Sequence, residues 1–141
     1  MRESKGCAVD YAEWTFSRGL RHLLCSLHLA LITILSLLPA WIFPPSVTSV
    51  AGMDKVVHAG LYGILGALVY WARVADCKGP PRARWALGAI GYGVLMEVLQ
   101  LTLSGVRRGF SWGDILANAV GVAAGWLVMQ RLLGRGDIHK T

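Results

Sequence analysis

The sequence contains few charged residues and no cysteine motif for metal binding or redox chemistry. Only 16% of its 141 residues are charged, whereas soluble domains usually have about 25%. Its three cysteines form no CxxC pair and no metal-ligand spacing, so we expect no structural disulfide. The scarcity of charge argues against a soluble domain.

The sequence also lacks the motifs that define common enzyme and repeat families. It has no internal repeat, nucleophile elbow, phosphate-binding loop or complete catalytic triad. Its net charge of +6 does not come from a basic stripe with interleaved aromatic residues, so we predict no nucleic-acid partner. The basic residues instead flank apolar segments, as in proteins oriented in a lipid bilayer.

Apolar residues make up 55% of the chain, and they fall into four long segments. Each has about the 20 residues that an α-helix needs to cross the hydrocarbon core. We therefore predict an all-α, four-helix transmembrane bundle, with segments at about residues 19–43, 54–72, 85–103 and 114–133. Proline cannot continue a helix, so Pro44-Pro45 is expected to end the first segment. The alternative for that segment is a cleavable signal peptide, although its apolar run exceeds the usual roughly 7–15 residues.

Lysine and arginine lie mainly on one side of the predicted bundle. Eleven of the 14 lie near the N-terminus, around the loop between segments two and three, or at the C-terminal end. The positive-inside rule then places both termini in the cytoplasm. This predicts a cytoplasmic arm at residues 1–18, a membrane domain at 19–133 and a cytoplasmic tail at 134–141. Trp41 and Trp112 are expected at the outer interface, and Trp71 and Trp85 at the inner one.

This topology predicts the outcome of reporter fusions. A reporter fused after Thr141 should lie in the cytoplasm, and one inserted near Ser46 should lie on the opposite side of the membrane. The measurement is the activity of a reporter that works on only one side, with the two insertions compared in one strain. Two reporters on the same side would contradict the four-span topology.

Most polar residues of the apolar segments lie near one edge of the membrane. Segments two and four begin at this edge and segment three ends there, so their polar residues share one depth. Ionisable groups inside a membrane are costly and usually mark function. The sequence therefore predicts one outward-facing polar site, with the residues Asp54, Lys55, His58, Tyr62, Glu97, Gln100, Arg107, Arg108, Asp114 and Asn118.

Four of these residues are candidate catalytic groups. Asp54 and His58 lie four apart on one helix face, an arrangement that suits an acid or base. Glu97 has apolar neighbours on both sides, and a buried carboxylate is costly unless it is paired or protonated. Asp114 completes the set, although Asp54 and Asp114 also stand where helix N-caps belong. A divalent metal held by Asp54, His58, Glu97 and Asp114 is an alternative, but their spacing matches no standard metal site. We therefore predict no metal, and the cofactor stays open.

The remaining residues are candidate ligand-binding groups. The pair Arg107-Arg108 is suited to clamp a phosphate or carboxylate. Lys55 is either a further anion contact or a side chain that extends to the headgroups. Hydrogen bonding is the expected role of the other three, Tyr62, Gln100 and Asn118.

Two further features concern packing rather than ligand binding. Gly121 and Gly125 continue the stripe of Asp114 and Asn118, and such a GxxxG spacing lets another helix approach closely. His28, outside the polar cluster, is expected to be a hydrogen-bonded packing residue.

These residues resemble the VanZ-like family of small bacterial membrane proteins. The match is D-K-x-x-H-x-x-x-Y from Asp54 to Tyr62, E-x-x-Q at Glu97, a basic loop, and D-x-x-x-N-x-x-G-x-x-x-G from Asp114 to Gly125. Ala59 departs from the aromatic residue that the family often has there. The resemblance implies a bacterial inner-membrane protein with a role in the cell envelope or in teicoplanin resistance. It implies no established reaction.

Three classes of function fit this pattern. The first is an envelope enzyme or binding protein, whose ligand is an anionic or lipid-linked headgroup. The second is a small transport or binding module with a proton or ion relay through the carboxylates. The third is a structural polar cluster that fixes the helices in register. The preferred interpretation is the first, an outward-facing polar site for an envelope ligand, and the other two are alternatives. The sequence leaves the oligomeric state open.

Overall fold

The structure is a computed structural model that describes residues 17–42, 52–74, 83–103 and 110–134. Regular structure in these ranges is entirely helical, and a short 3-10 helix at Ala40–Ile42 follows the first helix. The four α-helices are α1 Arg18–Leu37, α2 Met53–Val74, α3 Arg84–Thr102 and α4 Trp112–Gly134. All four are long and apolar enough to cross a membrane. The predicted four-helix membrane fold is confirmed.

The first helix ends earlier than the sequence analysis predicted. α1 stops at Leu37, and Leu38 has an extended backbone with φ −65° and ψ 136°. The next residue is Pro39, and the residue before a proline is sterically disfavoured in the helical region. Pro39 therefore sets the end of the helix, rather than the later Pro44-Pro45 pair.

Neighbouring helices run antiparallel, so each end of the bundle combines helix starts and helix ends. At one end, Arg21 near the start of α1 lies 4.9 Å from the Trp71 ring near the end of α2. At the same end, Arg73 lies 3.6 Å from the ring of Trp85 at the start of α3. At the other end of the bundle, the last turns of α1 and α3 lie beside the first turns of α2 and α4. We call this end of the bundle the polar end.

The most extensive helix contact is that between α2 and α4. Its closeness depends on glycine, because a Cβ added at Gly125 would overlap the carbonyl oxygen of Gly63. A Cβ at Gly121 would likewise overlap the carbonyl oxygen of Ala59, and one at Gly66 would overlap that of Val122. The expected close approach at Gly121 and Gly125 is therefore present.

Large apolar side chains cover much of the bundle's outer surface. They occur on every helix, and several are more than half exposed: Leu27, Ile34, Val56, Ile64, Leu87, Leu101, Leu116, Val120 and Leu132. Contiguous apolar surface of this extent is unfavourable in water and favourable in lipid. Inside the bundle, a small core packs around Ile32, Leu65 and Val122.

Candidate functional site

Three helices bring polar side chains together at the polar end. His58 comes from the first turns of α2, Glu97 from the last turns of α3, and Asp114 from the first turn of α4. Ligand-capable atoms of these three residues all lie within 4.8 Å of one another. Glu97 is completely buried, and Asn118, one turn further along α4, is 1% exposed. Four of the ten predicted residues, His58, Glu97, Asp114 and Asn118, thus lie together at this end of the bundle.

Glu97 also holds the start of α4 in place. The backbone N–H of Ser111 donates a hydrogen bond to Glu97 Oε2 over 3.2 Å. In turn, the Ser111 hydroxyl oxygen accepts from the backbone N–H of Asp114 over 3.3 Å. Ser111 is therefore the N-cap of α4, and Asp114 lies in the first turn instead of at the cap position. The sequence carried this signal as the Ser-x-x-Asp spacing, which is typical of a helix start.

His58 is oriented by Asn118. The distance from His58 Nδ1 to Asn118 Oδ1 is 3.0 Å. An amide oxygen only accepts hydrogen bonds, so the tautomer that satisfies this contact donates from Nδ1. In that tautomer the lone pair of the neutral imidazole lies on Nε2. The sequence analysis expected His58 to pair with Asp54, whereas the structure pairs it with Asn118.

Asp54 and Lys55 form the exposed rim of the site. α2 begins at Met53, directly after Gly52, whose φ of 82° lies in the left-handed region, so Asp54 stands in the first turn and not at the cap. Lys55 Nζ lies 3.1 Å from Asp54 Oδ2 and 3.6 Å from Asp114 Oδ1. The Asp54 and Lys55 side chains are 55% and 49% exposed, whereas that of Asp114 is 13% exposed. Lys55 therefore links the solvent-facing rim to the buried carboxylates.

Tyr62 lines the inner side of the site. Its ring is parallel to that of His58, with centroids 6.4 Å apart. Its hydroxyl is buried and has no hydrogen-bond partner among the described residues. A Cβ added at Gly93 would lie 3.0 Å from Tyr62 Cε1 and 3.1 Å from Asn118 Nδ2. Glycine at this position therefore lets α3 pack against both side chains.

Two other buried polar residues connect helices outside this cluster. Gln100 Nε2 donates to the carbonyl oxygen of Ser36 over 2.9 Å, which fixes the end of α3 against α1. Sequence reasoning did not identify Ser36, because nothing in the sequence indicates which carbonyl group an amide will find across a helix interface. His28 Nε2 donates to the carbonyl oxygen of Leu61 over 2.9 Å. His28 is thus a hydrogen-bonded packing residue, as predicted.

Arg107 and Arg108 lie outside the described residues, in the segment that joins α3 to α4. Their role as anion contacts stays a prediction. Residues 1–16 of the predicted arm and residues 135–141 of the predicted tail are also outside the described ranges.

Comparison with known proteins identifies the family. No curated protein and no solved structure matches the chain. The profile of the VanZ/LLP1 family matches residues 11–133, which include α1, α2, α3 and all of α4 except its last residue. The chain belongs to the VanZ/LLP1 family.

Proposed function

We propose that this chain is a bacterial inner-membrane protein whose outward-facing polar site binds, and acts on, an anionic, lipid-linked substrate of the cell envelope. One observation carries the proposal: buried polar side chains from three helices converge at one end of a membrane bundle. The opposite end carries Arg21, Arg73 and Arg84, which under the positive-inside rule favours a cytoplasmic location for that end.

The depth of the site suits a lipid headgroup. Trp41 and Trp112 are 76% and 77% exposed at the polar end, and exposed tryptophan favours the membrane–water interface. A ligand held in the headgroup layer therefore reaches the rim of the site without leaving the bilayer. Lys55 at this rim carries a positive charge that attracts an anion. Arg107 and Arg108, between α3 and α4 in the sequence, are the further predicted anion contacts.

His58 and Glu97 are the groups for proton transfer. The lone pair on His58 Nε2 makes this atom a proton acceptor, while Asn118 fixes the ring through Nδ1. Glu97 is buried beside it and is held by the Ser111 N–H, so both groups are fixed before a substrate binds. We place Asp114 next to them as the carboxylate that interacts with Lys55.

A structural polar cluster is the second candidate. The hydrogen bond from Ser111 to Glu97 favours it, because it ties α3 to the start of α4 without any ligand. A variant that removes a proton-transfer group but keeps the hydrogen bond from Ser111 to Glu97 separates the proposed function from the structural cluster.

Complementation of a deletion strain tests the proposal with a matched pair of histidine variants. His58→Gln keeps a side-chain N–H for Asn118 but removes the basic ring nitrogen, whereas His28→Gln changes only a packing residue. We expect His58→Gln to lose the envelope phenotype and His28→Gln to retain it, both at wild-type membrane abundance. The readout is susceptibility to envelope stress and to glycopeptides, teicoplanin included. Full rescue by His58→Gln would favour the structural cluster.

A further inference from the structure

We propose that His58, Glu97 and Asp114 form a binding site for one divalent transition-metal cation. This inference rests on the proposed function, because the ion would serve the same polar site. Binding of the metal ion is measured separately from that function. Imidazole nitrogen and carboxylate oxygen are both Zn²⁺ ligands. Because each donor comes from a different helix, no spacing in the sequence reveals the set.

The donor atoms are close enough for one ion to bridge them. They lie within 4.8 Å of one another, and two ligands of a tetrahedral Zn²⁺ are about 3.4 Å apart when each bond is about 2.1 Å long. Closing this difference requires side-chain shifts of less than about 1 Å. α2, α3 and α4 would keep their positions.

The hydrogen bonds around the donors match those of metal ligands. Histidine ligands usually donate their second ring N–H to an oxygen, which fixes the ring and its tautomer. Asn118 Oδ1 accepts from His58 Nδ1, and so leaves Nε2 as the nitrogen that binds a metal. The Ser111 N–H holds Glu97 Oε2 and orients that carboxylate in the same way.

Tyr62 gives an independent indication of a ligand. Its hydroxyl is buried, has no hydrogen-bond partner among the described residues, and lies close enough to Glu97 for an electrostatic interaction. A buried hydroxyl without a partner is costly. Water bound to the ion would provide that partner. Three protein ligands also leave a coordination position for water or for an oxygen of an anionic substrate.

Substitution of Lys55 tests whether the cluster binds a metal ion or has only a structural role. Its ammonium group lies 3.6 Å from Asp114 Oδ1, so it competes with a cation for that carboxylate. Lys55→Met removes the competing charge. If the site binds metal, this variant binds it more tightly than the wild type does.

The experiment is a Zn²⁺ titration of the full chain in detergent, purified by a tag without histidine and stripped with a chelator. A competing zinc indicator reports stoichiometry and affinity. We expect one Zn²⁺ per chain. His58→Gln, Glu97→Gln and Asp114→Asn should each weaken binding at least about 100-fold, and Asn118→Ala should weaken it about 10- to 100-fold.

One control variant removes a histidine outside the donor set. His28→Gln should bind Zn²⁺ as the wild type does, because His28 does not belong to the cluster. Lys55→Met should bind it severalfold more tightly. If a ligand variant does not fold, the wild-type stoichiometry and the Lys55→Met affinity decide the question.

The outcomes also separate this inference from the proposed function. Absence of saturable binding, or equal affinity in the ligand variants, overturns the metal site. If His58→Gln still loses the phenotype in that case, the proposed function stands without a metal. Specific Zn²⁺ binding together with full rescue by His58→Gln would instead keep the metal site and overturn the proposed function.

Discussion

Glu97→Gln is expected to abolish the envelope phenotype while the protein still inserts and accumulates. Glutamine has nearly the shape of glutamate, and its amide oxygen still accepts the hydrogen bond from the Ser111 N–H. The start of α4 is therefore preserved. The negative charge is lost, and with it the ability to take up a proton or pair with a cation. Proton transfer by a positioned side chain typically contributes about 10²–10⁴-fold to a reaction rate, so its loss is enough to remove the phenotype.

Glu97→Ala is the matched variant that separates charge from structure. Alanine removes the acceptor of the Ser111 N–H as well as the charge. We therefore expect the free energy of unfolding to fall by about 1–3 kcal/mol. The measurements are drug and envelope-stress sensitivity of a deletion strain carrying each variant, with membrane abundance from an immunoblot. Full rescue by Glu97→Gln at normal abundance would show that the charge is dispensable.

Gly125→Ala is expected to destabilise the whole bundle. The added Cβ would overlap the carbonyl oxygen of Gly63, and backbone atoms cannot move aside as a flexible side chain can. Overpacking typically costs about 1–3 kcal/mol, and separation of α2 from α4 also disrupts the polar end. We expect a lower midpoint of thermal unfolding in detergent and reduced complementation.

Two other glycines provide controls within the same fold. A Cβ at Gly63 would lie 3.5 Å from the Gly121 carbonyl oxygen, an ordinary contact, and one at Gly91 would meet nothing within 4 Å. Gly63→Ala and Gly91→Ala should therefore unfold near the wild-type temperature. A Gly125→Ala protein as stable as Gly91→Ala would contradict the close α2–α4 contact.

The sequence predicted the helices well because their cause is local. An apolar run of about 20 residues is sufficient to span the membrane, whatever its neighbours are. The end of α1 was placed incorrectly at Pro44-Pro45 because the apolar run continues past Pro39 to Phe43. The backbone restriction before Pro39 outweighs the hydrophobicity of the following residues.

The composition of the site was predictable, but its contacts were not. Membrane depth alone brings Glu97 level with His58 and Asp114. Partners across helices depend on how each helix is rotated, and this rotation follows from packing at positions such as Gly93 and Gly125. The sequence therefore suggested partners within one helix, such as Asp54 for His58. The structure instead pairs His58 with Asn118.

Binding of an anionic envelope lipid at the polar end is tested most directly by native mass spectrometry of the chain purified with a bacterial total lipid extract. We expect one retained lipid with an anionic headgroup per chain, and loss of that lipid in the double variant Lys55→Met, Arg108→Gln. Lipid retention that matches the bulk composition, or that is unchanged in the double variant, would contradict it.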